Sequence, residues 1–219
     1  MTESDAREEI CRVGASLYAR GYAHATAGNI SVRLGDGFLI TPTDACLGFL
    51  DPARLSKLDA GGRQVGGDRA SKTIALHTAI YAAATRYDAG TACVIHTHST
   101  HCVALTLGAM RDELLAPITP YFVMKVGHVP VIAYDRPGAP AVAERVAAAI
   151  RRYGDAGTPI RAVMLARLGP NVWHDTPAAA MAALEELEET ARLAVLRGDV
   201  APLTDPQIDD LRRAFGARW

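Results

Sequence analysis

Three of the chain's seven histidines stand within six positions of one another, in the stretch CVIHTHSTHCVAL at 93–105. Imidazole is the commonest nitrogen ligand for zinc-type cations, and its neutral form predominates near pH 7. On an extended strand alternate side chains share a face, so His96 and His98 project together from the end of CVIH, as two ligands of one cation would. Two are too few, because an active zinc site takes about three protein ligands and keeps one position open. The competing reading of the same pair is two polar side chains at a strand end, satisfied by water or backbone. His101 falls in the first turn of a following helix, where it either orients a ligand or substrate or serves packing alone.

The elements around this cluster can be read from periodicity. Ile10, Val13, Leu17 and Tyr18 recur at helical spacing over 6–20, with Gly21 as the stop. Alternating runs at 30–34 and 37–41 flank Gly35-Asp36-Gly37 and predict a β-hairpin. Residues 71–85 predict a helix with Ile74, His77, Thr78 and Tyr81 on one side, after which ACVIH is a short buried strand that delivers the histidines. A helix over 141–153, a strand at RAVML and a helix from the Thr176-Pro177 cap to about Arg197 follow. That last helix carries the stripe Met181, Leu184, Leu187, Ala191 and Val195, with EELEE expected to be mostly solvated. A final short helix, introduced by Pro202 and Pro206, ends near Phe215. Hairpins mixed with helices predict an α/β fold: one domain over 1–219, its central, largely antiparallel β-sheet flanked by helices.

Composition narrows the function. Lysine plus arginine number 23 against 24 acidic residues, so no net field favours nucleic acid or anionic lipid. MTESDAREEI lacks the basic start and apolar run of a secretory signal, and no apolar stretch is long enough to span a bilayer, which predicts a soluble cytoplasmic protein. Cys11, Cys46, Cys93 and Cys102 form no C-x-x-C pair and are expected to be free thiols that act as small hydrophobes.

Six segments in order, TAGNISVR, ITPTD, ASKTIALH, HTHSTH, TPYFVMKVG and LARLGPNVW, resemble the class II aldolase/adducin family of metal-dependent sugar-phosphate enzymes over nearly the full length. The resemblance implies that Asn29, Thr43, Ser71 and Lys72 form a phosphate cradle. The chemistry suits them: hydroxyls and amides donate to an anion, and Lys72 adds a cation for the dianion. It further implies that His96 and His98 are ligands of a divalent metal, zinc in the first instance. Tyr121 falls where the family's aldolases carry a proton-donating tyrosine that reaches across a subunit boundary, although packing is an equally good use of a tyrosine. The family's cyclic oligomers imply a homotetramer.

Two positions depart from the family pattern. Thr73 stands where a glutamate serves as general base, and Leu168 stands where a third histidine binds the metal. Leucine is no ligand and threonine a weak one. Three explanations stay open: another donor (His77, His101, His128, His174 or a neighbouring subunit's residue), cationic catalysis by Lys72 and Arg167 without metal, or a non-catalytic relative.

Within the family, CLGFLDPARLSKLD and Lys72 most resemble members that decarboxylate a 3-oxo-tetronate 4-phosphate. That reaction needs an electron sink more than a strong base, so it tolerates Thr73 best. The catalytic candidates are therefore Lys72, Tyr121 and Thr73, acting on a sugar-acid phosphate. Cleavage of a ketose phosphate of the fuculose type, and an adducin-like binding module, are the alternative expectations.

Overall fold

The computed structural model describes residues 1–219. Its centre is one eight-stranded sheet, in the order β4-β3-β2-β1-β5-β8-β7-β6. The strands are β1 (Asn29–Leu34), β2 (Gly37–Ile40), β3 (Ser56–Asp59), β4 (Gln64–Gly66), β5 (Cys93–His96), β6 (Val131–Ile132), β7 (Ala162–Leu165) and β8 (Gly169–His174). Every neighbouring pair is antiparallel except β6 with β7, which is parallel.

Six α-helices cover the sheet: α1 (Glu3–Ala19), α2 (Ile74–Ala84), α3 (Thr100–Ala104), α4 (Pro140–Asp155), α5 (Pro177–Arg197) and α6 (Asp205–Phe215). α1 starts before the first periodic apolar residue because Thr2 and Asp5 cap it reciprocally, the Thr2 hydroxyl accepting from the Asp5 amide and the Asp5 carboxylate from the Thr2 amide. α5 starts at the expected Thr176 cap, whose hydroxyl accepts from the Ala179 amide. No helix is long and apolar enough to cross a membrane.

Side chains alternate across the sheet, so each central strand feeds two cores. Ile30, Ile95 and Val172 join Ile10, Leu17, Leu184 and Leu187 of α1 and α5 on one face. Val94 and Trp173 join Ile80, Val146 and Ile150 of α2 and α4 on the other. On that second face the alternation also places polar residues. Asn29 pairs with His96, and His96 with Asn171, so the three form one row across β1, β5 and β8.

Three expectations need correction. α2 begins at Ile74 and not at Ser71, because the Ile74 amide bonds to the Ser71 carbonyl and the Thr73 hydroxyl to the Ser71 hydroxyl at 2.9 Å, which closes a turn instead. EELEE is not mostly solvated. Glu188 is buried and its carboxylate accepts from the amides of His101 (2.8 Å) and Cys102 (3.0 Å), so it caps α3 from α5. Val195 lies outside the buried stripe of α5, 42 % exposed.

Candidate active site

The start of β1, the start of β8 and the end of β5 come together at one end of the central strands, because antiparallel neighbours alternate in direction. Two glycines allow the close approach. Gly28 has φ +91°, and a Cβ there would lie 2.8 Å from the His96 carbonyl oxygen. Gly169 has φ +150°, and its Cβ would fall on the Thr97 carbonyl oxygen. The backbone that carries the histidines is clamped between them, and a side chain at either position would push it out of place.

Beside this clamp opens a cavity of about 390 Å³. Asn29, Thr43, Ser71 and Lys72 line it, as do Thr73 and Leu168, the two departures from the family pattern. His96 and His98 line it too. Eight positions from five separate segments thus line one cavity. The Asn29 Oδ1 is buried and meets no protein partner. A buried acceptor without a partner is uncommon and fits a polar ligand or water at the wall.

The histidines differ in role. The Nδ1–H of His96 donates to the Pro170 carbonyl oxygen at 2.9 Å, which leaves Nε2 as the lone-pair nitrogen. Burial, and secondarily the neighbouring His98, pushes the His96 ring down to about 4. Burial, then His24, lowers His98. Beneath them His77 is fully buried, with Nδ1 2.7 Å from the Ser31 hydroxyl, and burial followed by His96 pushes it down to about 3. Near neutral pH His77 and His96 are uncharged, the form that binds metal or accepts a proton.

Two imidazoles on one tetrahedral zinc, with nitrogens about 2.0–2.1 Å from it, place their ring centroids roughly 5 Å apart. The rings of His96 and His98 are 5.1 Å apart. The pair has the separation of two ligands, yet Leu168 and Thr73 add no donor, and no group of three His, Cys, Asp or Glu side chains is placed to share a metal. His96 and His98 are therefore an incomplete donor set for such a cation within one subunit.

Most of the substitutes named from sequence lie elsewhere. His101 is fastened through Nδ1 to Glu188 at 2.8 Å and lines no part of the cavity. His128 sits 2.9 Å from both Glu113 oxygens and stacks on Trp219. His174 pairs with Asp175 at the far end of β8, opposite Cys93. Arg167, at φ +64°, is exposed and absent from the cavity wall, so it supplies no cation there. Tyr121 is 61 % exposed, also outside the cavity of its own subunit.

The sequence reading missed a further part of the lining, formed by 133–140 where the chain enters α4. Asp135 takes the Arg136 amide on Oδ1 (2.8 Å) and the Arg145 guanidinium on Oδ2 (2.9 Å), which leaves the exposed Arg136 guanidinium facing no carboxylate of its own loop. Asp135-Arg136-Pro137-Gly138 reads as a turn in sequence, and its only chemical signal was one arginine among 23 basic residues.

The Class II Aldolase and Adducin N-terminal domain matches residues 8–195. The chain belongs to this family. Among class II aldolase/adducin proteins, a 3-oxo-tetronate 4-phosphate decarboxylase of Cupriavidus necator is 54 % identical, covering 100 % of this chain and 99 % of its own length. A protein of the same name from Escherichia coli is 40 % identical, covering 96 % of each. The solved structure of YgbL from Escherichia coli matches with a TM-score of 0.84 at 39 % identity, over 96 % of this chain and 99 % of its own. An L-fuculose 1-phosphate aldolase shares the fold, with a TM-score of 0.81 at 24 % identity over 99 % of this chain and 98 % of its own.

Proposed function

We propose that this class II aldolase/adducin protein is a carboxy-lyase that converts a 3-oxo-tetronate 4-phosphate to dihydroxyacetone phosphate and CO₂. The observation that carries the reading is the composition of the cavity lining. The cavity is lined by a polar cradle that includes Lys72 and by the 133–140 segment, whose Arg136 guanidinium pairs with no carboxylate of its own loop, which suits a substrate with two anionic groups. The near full-length similarity to 3-oxo-tetronate 4-phosphate decarboxylases supports the same reading.

Asn29, Thr43, Ser71 and Lys72 hold the phosphate, and Arg136 receives the C1 carboxylate. The C1–C2 bond breaks, CO₂ leaves, and its electron pair passes into an enolate with the charge on the C3 oxygen. Donors aimed at that oxygen lower the barrier. The candidates are the Lys72 ammonium and an N–H of His98, since His96 Nε2 is an acceptor. A proton delivered to C2 completes the product. Tyr121 of a neighbouring subunit in a homotetramer delivers it, because the tyrosine lies outside the cavity of its own subunit.

Thr73 replaces a base that this reaction does not require, whereas an aldolase or epimerase must move a substrate proton. The four free cysteines suit a reducing cytoplasm. The test is CO₂ release by the purified protein, with fuculose 1-phosphate as the control substrate.

A further inference from the structure

A second cavity, of about 210 Å³, lies where three parts of the chain meet: the π-helical turn Phe122–Val126 with Gly127, the approach to β7 at Pro159 and Arg161, and the residues that follow α6. It shares no lining residue with the cavity beside the histidines. Its charged lining residues are Lys125, Arg161 and Arg218, and no Asp or Glu lines it. The one carboxylate within ion-pair distance of any of the three is Asp88, 3.9 Å from Arg161, whose Nη1 also donates to the His174 ring at 3.2 Å. Burial, then the Arg218 charge, lowers the Arg161 guanidinium below its usual range.

The chain is packed so that Arg218 stays at this wall. Gly127 has φ +79°, and a Cβ there would lie 3.3 Å from the Arg218 carbonyl oxygen. The next residue is fastened twice: Arg212 Nε donates to the Trp219 carbonyl oxygen at 3.0 Å, and the Trp219 ring stacks on His128 with centroids 4.2 Å apart. The π-helical turn and α6 both end at the cavity, and a helix C-terminus carries at most about half a negative charge. Two such ends offset at most about one of the three positive charges. Like charges held together repel, and a bound anion removes that cost.

We propose that this cavity is a second anion site, which takes a phosphate dianion either free or as the end of a small phosphomonoester. A dianion balances the surplus that a single carboxylate would leave half uncompensated, and guanidinium forks match phosphate oxygens. Pockets for drug-sized ligands start at roughly 300 Å³, so the occupant is smaller than these. The site does not depend on the decarboxylase reading.

The chain's two tryptophans report on it, since Trp173 lines a cleft with Arg161 and Arg218, and Trp219 follows Arg218. The experiment is a fluorescence titration of the full-length protein with inorganic phosphate at constant ionic strength, with chloride as the control and glycerol phosphate as a second arm. The expected result is a saturable change with phosphate and none with chloride. Lys125 and Arg218 are exposed, so Lys125→Met and Arg218→Gln leave the fold intact, and each is expected to weaken binding about tenfold or more. Lys72→Met is expected to leave the response unchanged. Tighter binding of glycerol phosphate than of inorganic phosphate assigns the site to an ester, and the reverse assigns it to the free ion. No saturable response, unaltered affinity in Lys125→Met and Arg218→Gln, or loss of the response in Lys72→Met alone would overturn the proposal.

Discussion

His96 gives its Nδ1 proton to the carbonyl oxygen of Pro170, 2.9 Å away across the β5–β8 pair. A carbonyl can only accept, so this bond fixes the tautomer and turns the Nε2 lone pair away from β8. One backbone oxygen thereby decides what the histidine can do: bind a cation or accept a proton at Nε2, but not donate there.

The buried rings predict an acid-labile fold. Burial pushes His77 down to about 3 and His96 to about 4 in the folded chain, against the ordinary 6.5 of histidine. Below about pH 6.5 the unfolded chain binds protons that the folded chain refuses, so stability falls as pH falls toward 4, by up to about 1.4 kcal/mol per unit per histidine. Urea midpoints measured between pH 7.5 and 4.5 should show this fall, and His77→Gln should flatten it. A flat profile in the unsubstituted protein contradicts the buried neutral pair.

Lys72 and Arg136 should separate kinetically. Lys72→Met and Arg136→Gln each remove a charged hydrogen bond worth about 1.5–3 kcal/mol, or roughly 10- to 100-fold in kcat/KM. Competitive inhibition by inorganic phosphate should weaken only in Lys72→Met, because Arg136 is assigned to the carboxylate and not to the phosphate. Equal loss of phosphate inhibition in both variants would place the two cations at one end of the substrate.

Glu188 is a structural residue. Its buried carboxylate holds two amides at the start of α3 and the His101 ring. Glu188→Ala should cost about 3 kcal/mol in chemical denaturation, since it strands buried donors, and Glu188→Gln should cost less. A change under about 0.5 kcal/mol in Glu188→Ala, the level of an ordinary surface substitution, contradicts the assignment.

Tyr121 can be tested by subunit mixing. Tyr121→Phe should lower turnover by about 10²-fold or more if it delivers the proton. Co-refolded with Lys72→Met, it should regain activity, because a hybrid assembly unites an intact cradle with an intact tyrosine from the next subunit. No recovery in verified hybrids would place both residues in one subunit's site or remove Tyr121 from the reaction.

Strong local signals were legible in the sequence. Capping at Thr176 and the apolar stripe of α5 marked that helix, and Gly35-Asp36-Gly37 marked the β1–β2 hairpin. β8 was not, because its residues are buried on both faces and show no alternation. β4 and β6 are only three and two residues long and are defined by their partners. That Asn29, Thr43, Ser71 and Lys72 share one cavity was expected through family resemblance alone, since nothing in TAGN or ITPTD announces an anion. Glu188 was misread because helical periodicity tells how a helix meets one core, not that α3 would need a cap. Arg136 was invisible for a related reason: it gains meaning only from the cavity that the fold builds beside it.

Decarboxylation is read out by CO₂ release from 3-oxo-tetronate 4-phosphate by the purified protein, with dihydroxyacetone phosphate quantified in parallel. Equimolar CO₂ and dihydroxyacetone phosphate, lost in Lys72→Met, with fuculose 1-phosphate left intact, is the predicted result. An unconsumed 3-oxo acid phosphate in the presence of folded protein, or cleavage of fuculose 1-phosphate in its place, would contradict the account.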